Sequence, residues 1–482
     1  MIQLIPSNLD IDNLIKYNPP VNITNFCKDK MIYIISLITA IPATNKDLEI
    51  KNGFVPIHST FLKSKVKNYR AYIDYLLTHN IFQTNNQYII GKSSKGYKFS
   101  ALYNTTVECV KIYNKSLINK LKTQTVFSLN MQKKYNHLLK WYNRDLQIDY
   151  DLALKYINED LNRKIKNPAL RDFDKKTKRF KDPQQQYNSA LLNLERIHSG
   201  EFYLSIDANV FRLHSAISNF RSELRHCISF GGRKLLSLDI KNSQPYLSTV
   251  LLNKLFWYIA EEYNNSTNLS INLFYDRLFK DIFNNKDNTL VSFVTLVNTY
   301  INQADSDLHR YKTLVQQGVF YKYLGDEFTK ELGLDYRDKK YLKPIVFLVF
   351  FTHNSFLAQD EAKHKRIFKN LFPDLYHIFS LIKKADKTNL PRLLQRIESH
   401  LMLNVITRRI AAERKDLPIF TIHDSIVTTD EPGNVEYIQR IMEEEFKKAI
   451  GFPPKFEIEN WDVANLAFND GTTFQIPVRI AV

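Results

Sequence analysis

The sequence has 482 residues, of which 44% are hydrophobic and 24% are charged. This length allows two or three domains with substantial cores, and the composition excludes a largely disordered chain. The formal net charge of +17 favours a polyanionic partner, because neutralising phosphates releases condensed counterions. No apolar run approaches a membrane span, the first residues lack a signal peptide and the cysteines are few and scattered, so we expect a cytoplasmic protein without membrane contact.

The first part of the chain combines helical and hairpin patterns. Apolar residues recur at helical spacing over residues 26–40 and again over residues 61–77. Residues 81–90 then alternate about an Asn-Asn pair, which predicts a β-hairpin with its turn there, followed by a basic stretch. Helices followed by a hairpin with a basic tip resemble a winged helix, here over residues 1–128, and winged helices often place the wing on DNA. We expect DNA contacts from Lys92, Lys95 and Lys98, and a module used only for packing is the alternative.

Residues 129–200 are rich in charge and in helix formers, which predicts a helical linker. Residues 171–181 are its most basic run. Such a run is usually a solvated loop, and contact with a nucleic-acid backbone is the alternative.

Two strand-like apolar runs each deliver a carboxylate at or near their end. One is residues 235–240, with Asp239, and the other is residues 420–427, with Asp424. A carboxylate at the end of a buried strand is costly unless something positive meets it. Two such aspartates are what two-metal phosphoryl transfer needs, since Mg²⁺ takes oxygen ligands from one or two carboxylates and from substrate phosphates. Ordinary strand-end aspartates are the alternative.

The chain between these runs is predicted to be helical. Residues 247–335 have Asn-rich loops and no assignable function. Residues 339–352 place Lys339, Lys343, Phe347 and Phe351 at every fourth position, which favours one helix face. Pro344 predicts a kink or a helix start at this point, and a start there would separate Lys339 from Lys343.

These three stretches resemble motifs A, B and C of the family A nucleic-acid polymerases, which include DNA polymerase I-like enzymes and phage-type single-subunit RNA polymerases. Shorter likenesses around Arg212, Arg225 and residues 456–461 extend the resemblance over roughly residues 200–461. The resemblance implies an α+β fold of the right-hand polymerase type: a palm with an antiparallel sheet, helical fingers and a helical thumb. Palm and fingers would occupy residues 201–482, and residues 129–200 would be a thumb-like region after the winged helix.

The resemblance also implies roles for residues that match its motifs. Asp239 and Asp424 would be catalytic and would hold two Mg²⁺ ions, or Mn²⁺ in their place, with the carbonyl of Ile240 as a further ligand. The other positions divide into nucleotide contacts and primer-template contacts. Nucleotide contacts would come from Lys343, Lys339, Phe347, Phe351, Gln244 and His423, and primer-template contacts from Arg212, Arg225 and Gln395.

Several positions depart from the family pattern. Gln244 is bulky where the RNA polymerases have glycine, and Phe351 lacks a hydroxyl that helps recognise a ribose, so both favour deoxynucleotides. Ser425 favours the RNA polymerases, whose motif C is His-Asp-Ser. Residues 394–400 lack the family's Met-Gln-Gly, and Gln395 or Glu398 would take over the minor-groove contact of the missing glutamine.

The resemblance implies a DNA-directed DNA polymerase without proofreading, acting on a DNA primer-template and nucleoside triphosphates. A single-subunit RNA polymerase, a primase-like enzyme and a template-independent nucleotidyltransferase are alternatives, and RNA is an alternative template. A non-catalytic DNA-binding replication initiator is the alternative from another class. The AT-rich codon usage that the composition suggests is typical of a mobile element, a phage or a low-GC host.

Overall fold

Every strand pairing in this protein is antiparallel within the part of the chain that the computed structural model describes. That part comprises residues 1–45, 48, 50–89, 93–122, 129–174, 179–202, 204–257, 269–274, 287–303 and 306–475. Its strands are β1 (Ile2–Pro6), β2 (Val55–Pro56), β3 (Phe82–Thr84), β4 (Gly96–Phe99), β5 (Val107–Lys111), β6 (Leu146–Ile148), β7 (Phe173–Asp174), β8 (Arg179–Phe180), β9 (Ser205–Ile206), β10 (Leu213–His214), β11 (Ile228–Phe230), β12 (Arg233–Ile240), β13 (Phe420–Ile422), β14 (Ser425–Thr429) and β15 (Phe456–Trp461).

Helices supply most of the remaining structure, which confirms the expected α+β class. They are α1 (Ile11–Tyr17), α2 (Lys28–Thr44), α3 (Ser59–Lys65), α4 (Tyr69–Thr78), α5 (Lys115–Lys122), α6 (Leu129–Leu139), α7 (Tyr150–Lys166), α8 (Pro183–His198), α9 (Ala216–Asn219), α10 (Ser243–Ser248), α11 (Asp287–Asn302), α12 (Asp307–Gln316), α13 (Phe320–Leu332), α14 (Lys339–Phe351), α15 (Lys363–Leu371), α16 (Pro373–Ile382), α17 (Asn389–His400), α18 (Thr407–Glu413) and α19 (Asn434–Ile450). A π-helical turn, Leu401–Ile406, joins α17 to α18, and a 3₁₀ turn, Glu223–Cys227, precedes β11. Within the described part, no helix combines the length and the hydrophobicity that crossing a membrane requires.

The central sheet is organised around β12. Its order is β13-β14-β12-β11-β6, and β15 also pairs with β12. Leu238 and Ile240 contribute to one hydrophobic core, whereas Leu235 on the other face contributes to a second core. A strand buried on both faces has to be apolar almost throughout, which explains the uninterrupted hydrophobic run in the sequence.

The amino-terminal part has its own core and its own small sheets. β1 pairs with β5, and a three-stranded sheet has the order β2-β4-β3. Helix α2 confirms the pattern over residues 26–40, and α4 buries the apolar face that begins at Tyr69. The winged-helix arrangement itself stays a prediction.

The predicted turn of the β3 hairpin is wrong. β3 pairs with β4, and residues 85–95 connect them, whereas the pattern predicted a second strand before residue 91. Asn85 turns the chain, because its side-chain oxygen accepts hydrogen bonds from the backbone N–H groups of Gln87, at 3.1 Å, and Gly96, at 3.0 Å. Glycine is required at residue 96, because a Cβ there would lie 2.8 Å from the Cβ of Phe54.

Residues 129–200 contribute directly to the central sheet as well as forming helices. β6 pairs with β11, and the helices α7 and α8 bury residues in the second core. The thumb-like assignment of this region stays a prediction.

Helix α14 runs through Pro344, so the predicted helix start at the proline is wrong. The helix begins five residues earlier, and Pro344 forfeits only the bond that its own N–H would have made to the fourth residue before it. Lys339 and Lys343 therefore belong to one continuous helix. Two further prolines lie at helix starts: Pro373 is the first residue of α16, and Pro391 is in the first turn of α17.

Candidate active site

Two distant parts of the chain bring Asp239 and Asp424 to neighbouring positions in the central sheet. Asp239 lies opposite Ser425, the first residue of β14, and Asp424 directly precedes Ser425 in the turn between β13 and β14. Opposed residues on antiparallel strands have Cα atoms about 4.5–5.5 Å apart. The two aspartates are therefore close in space although they are far apart in sequence.

The turn that carries Asp424 is held in an uncommon backbone conformation. Ile422 pairs with Ser425, so only His423 and Asp424 form the turn. His423 has a φ of 55°, in the left-handed region that two-residue hairpin turns use and that side chains other than glycine rarely adopt. This conformation keeps the hairpin tight and places the Asp424 carboxylate at the end of the strand pair.

Negative charge accumulates around Asp239. Its pKa is raised to about 7, first by burial and then by Asp424, Glu457 and Glu459, while Lys343 opposes the rise. Within the described chain, no lysine or arginine forms an ion pair with any of these four carboxylates. The cluster therefore has a deficit of positive charge that a bound cation would offset.

Sequence reasoning did not assign Glu457 and Glu459, which β15 carries next to β12. Glu457 lies opposite Asp239 and Glu459 opposite Ser237, so all these side chains project from the same face of the sheet. Both glutamates are exposed. The alternation of acidic and other residues in Phe456–Trp461 was the available indication, but only the strand register shows that its acidic face adjoins Asp239.

Helix α14 carries a cation that acts on the carboxylates and, one and two turns further along, two aromatic rings. Lys343 is exposed, and its charge acts on Asp239. Phe347 and Phe351 are half-buried, with ring centroids 5.7 Å apart. The buried stripe of the helix is formed instead by Leu342, Val346, Val349 and Phe350, so the two rings are not simply core residues. The Lys339 side chain lies outside the described part.

A buried ion pair connects three residues near the aspartates. Glu398 on α17 is 1% exposed and accepts hydrogen bonds from the Arg212 Nε and Nη2 atoms, each at 2.8 Å. Gln244 Nε2 donates to the same carboxylate at 3.1 Å. Burial raises the pKa of Glu398, Arg212 opposes this rise as its ion-pair partner, and Asp424 and Asp239 add to it.

This network gives its members contacts within the chain, and the roles expected for them stay predictions. Arg212, predicted to contact the primer-template, has its guanidinium bound to Glu398. Gln244 is held by its amide nitrogen, while its Oε1 atom is buried without a partner in the described chain. Glu398, considered only for a minor-groove contact, is the centre of the network. Gln395 is half-buried one turn earlier on α17.

Two further predicted residues lie beside this centre. Burial, together with Arg212, lowers the pKa of His423 to about 4 although Asp424 opposes the shift, so the imidazole is neutral at neutral pH. Its ring lies 6.4 Å from that of His214, measured between centroids. Burial also lowers the pKa of Arg225, and Glu459 and Asp239 are among the carboxylates that oppose the shift.

Two of the three lysines expected to contact DNA lie in or next to the amino-terminal sheet. Lys95 directly precedes β4 and Lys98 lies within it. Lys98 Nζ is 4.5 Å from the centroid of the Phe54 ring. Lys92 lies outside the described residues.

The donor set suits a hard divalent cation. Among the described residues, no group of three or more His, Cys, Asp or Glu side chains is arranged to hold a metal. Mg²⁺ nevertheless needs only one or two carboxylates when substrate phosphates and water complete its shell. The register adds a third oxygen: Lys241 N–H bonds Lys455 on the β15 side, so the preceding residue, Ile240, directs its carbonyl toward the Asp424 turn. Two carboxylates and one carbonyl in a site with excess negative charge fit Mg²⁺ or Mn²⁺.

Comparisons with known proteins give likenesses among solved structures, where 52 chains match. No family model and no curated protein matches the chain. Among solved structures, one similar chain is the POL domain of Pol1 from M. smegmatis in complex with DNA primer-template and dNTP. The two share 11% sequence identity, the match covers 72% of each chain, and the TM-score is 0.28. A TM-score this low does not establish a shared fold, so the residues of the site have to be interpreted from their own geometry.

Proposed function

We propose that this protein is a nucleotidyltransferase that extends a primer with deoxynucleotides on a DNA template. The observation that carries the proposal is the convergence of Asp239 and Asp424 beside Lys343, in a carboxylate cluster that lacks ion-pair partners in the described chain. The order of the three motifs that supply these residues supports the same function. Together they provide carboxylate oxygens for metal ions and a cation for a triphosphate.

Each group has a role that its chemistry allows. Asp239, Asp424 and the Ile240 carbonyl would hold Mg²⁺. When bound, the ions activate the primer 3′-hydroxyl and neutralise charge on the triphosphate. Lys343 binds the triphosphate oxygens through charge-assisted hydrogen bonds. Phe347 and Phe351 present half-buried rings on which the incoming nucleotide and the template base stack.

The choice of sugar depends on Gln244, which lies five residues after Asp239. Its hydrogen bond to Glu398 holds a bulky side chain in place, and this favours rejection of a ribose 2′-hydroxyl. Ser425, directly after Asp424, favours RNA synthesis, which is the second candidate. The two candidates share the catalytic residues and differ in the nucleotide they accept.

Primer extension tests the proposal. The full-length protein is given a primed DNA or RNA template with labelled dNTPs or rNTPs, with and without Mg²⁺. We expect Mg²⁺-dependent extension with dNTPs on DNA. We expect Asp239→Asn and Asp424→Asn each to reduce the extension rate by about a thousandfold or more, because electrostatic stabilisation of the transition state usually contributes more to catalysis than any other effect.

The matched control is Glu436→Gln, which neutralises an exposed carboxylate in the first turn of α19. It should leave extension unchanged, and both aspartate variants should bind primer-template as tightly as the wild type. Extension by Asp239→Asn at the wild-type rate would exclude the assignment. Extension with rNTPs but not with dNTPs would establish the second candidate.

A further inference from the structure

A short hairpin in the region before the central sheet exposes two aromatic rings side by side. Strands β7 and β8 pair only with each other in the described chain, with Phe173 opposite Phe180. The two rings contact edge to face with centroids 5.3 Å apart, and the residues remain 51% and 62% exposed. A cross-strand aromatic pair stabilises a hairpin by about 0.2–1 kcal/mol. This stabilisation does not explain why most of both residues is exposed to solvent.

The base of the hairpin is fixed to the body of the protein. Asp172 accepts hydrogen bonds from Lys164 Nζ at 2.9 Å and from Gln186 Nε2 at 2.7 Å, and its carbonyl accepts from the Lys181 N–H at 2.8 Å. Lys164 is buried and also binds Asp160, which in turn binds Arg221. The rings are therefore presented on a rigid support that hydrogen bonds connect to the segment before Arg225.

The charge around the rings is positive. Arg171, Arg179 and Lys181 flank them, and the sequence of residues 171–181 has six lysines and arginines against two aspartates. Asp172 is directed inward to Lys164, whereas Asp174 lies opposite Arg179 in the strand register and offsets that cation, so the surplus is carried by the remaining lysines and arginines of the segment. Exposed aromatic faces set among cations are the combination with which proteins bind unpaired nucleotides.

We propose that the β7–β8 hairpin is a binding site for single-stranded nucleic acid, on which bases stack against Phe173 and Phe180 while the flanking cations meet the phosphates. Duplex is a poorer partner, because its base faces are already stacked internally and unavailable to the rings. The site is separate from Asp239 and Asp424, and it does not depend on their being catalytic.

Binding measurements on the full-length protein test this site without nucleotides or Mg²⁺. The probes are a fluorescent single-stranded oligothymidylate and a duplex of equal length, and affinities are measured by fluorescence anisotropy at a fixed salt concentration. We expect the double variant Phe173→Ala/Phe180→Ala to lose at least about fivefold in single-strand affinity, since one stacked base contributes about 1–3 kcal/mol. Duplex affinity should stay within twofold of the wild type.

Two further double variants separate stacking from a role in hairpin folding. Phe173→Leu/Phe180→Leu keeps an apolar pair without π faces and should bind single strands as weakly as the alanine variant. Phe173→Trp/Phe180→Trp should retain affinity, and its fluorescence should fall when bases stack. Tyr17→Ala, which removes a ring that is 72% exposed beside Lys16, is the matched control and should have no effect.

Each alternative outcome overturns the proposal. Wild-type binding by the leucine variant would make the pair a structural feature of the hairpin. Equal losses for single strand and duplex would make the hairpin a backbone contact. Asp239→Asn should bind the oligothymidylate normally even if it cannot extend a primer, so failure of the proposed function is distinguishable from failure of this site.

Discussion

At the scale of single residues, the most unusual groups outside the site are two buried lysines. Lys383 Nζ donates to the Phe350 carbonyl at 2.7 Å, and Lys365 Nζ donates to the His353 carbonyl at 2.8 Å. Both residues are 0% exposed. Their partners lie at and just after the carboxyl end of α14, where carbonyl groups lack helical partners and the helix dipole favours a cation. The two lysines therefore cap the helix that carries Lys343.

Burial of Lys383 predicts a pH-dependent stability. Burial, with a contribution from Lys365, lowers the pKa of Lys383 to about 7 from 10.5. Between these values the unfolded chain binds more protons than the folded one, so stability rises with pH through this window and the full cost of charging Lys383 is present below it. Lys383→Met should reduce the slope of unfolding free energy against pH between pH 7 and 9.5, by up to about 1.4 kcal/mol per pH unit.

Denaturant unfolding at several pH values measures this slope. Lys447→Met, which removes an exposed lysine on α19, should leave the slope as it is in the wild type. A slope that is the same in Lys383→Met and in the wild type would show that Lys383 is charged in the folded protein throughout this range.

At the scale of elements, α14 is capped at its carboxyl end by two buried lysines and carries Lys343 in its first half. We expect Lys343→Ala to raise the KM for the nucleotide by about tenfold or more, because a hydrogen bond to a charged group contributes about 1.5–3 kcal/mol. Primer-template affinity should not change, since the lysine is assigned to the triphosphate. Steady-state kinetics and anisotropy measure the two quantities separately.

A lysine of similar exposure provides the comparison for Lys343. Lys330→Ala changes the last turn of α13 and should alter neither quantity. An unchanged KM in Lys343→Ala would remove the lysine from the nucleotide site, and weaker primer-template binding would reassign it to the nucleic acid.

Elements were predictable where their pattern is local. The apolar run of β12, the apolar run at residues 420–427 and the helical spacing of α14 are each contained in fewer than twenty residues, although the structure divides the second run into β13, a turn and β14. The partner of β3 was mispredicted, because the Asn85 side chain bonds to Gly96 and the connection between β3 and β4 is therefore longer than a tight turn. Gly96 lies outside the ten residues, 81–90, on which the prediction was based.

The parts of the site that sequence missed depend on pairing between distant segments. Glu457 adjoins Asp239 only through the β12–β15 register, and Glu398 meets Arg212 only when α17 packs against the segment before β10. The individual residue types gave no indication of either contact. Motif order predicted which residues carry charge into the site, but not which charges neutralise one another there.

At the scale of the whole molecule, the net charge of +17 favours basic surfaces that attract a polyanion. The carboxylate cluster around Asp239 is locally negative, so under the proposed function nucleic acid would be held by basic surfaces elsewhere and would meet the cluster through metal ions. The amino-terminal sheet with Lys95 and Lys98 is one candidate surface, and the β7–β8 hairpin is another.

The amino-terminal surface is testable through its salt dependence. If Lys95 and Lys98 each neutralise a phosphate, the double variant Lys95→Ala/Lys98→Ala should weaken duplex binding by a similar factor on every sequence. The slope of log K against log salt concentration should become shallower by up to about 1.8, since each phosphate contact contributes about 0.9. Lys447→Ala/Lys448→Ala, two exposed lysines on α19, is the control of equal charge. If the Lys95→Ala/Lys98→Ala variant has the salt slope of the wild type, the amino-terminal part is a packing module. A lysine that contacts a phosphate releases one counterion on binding, so its removal has to make the slope shallower.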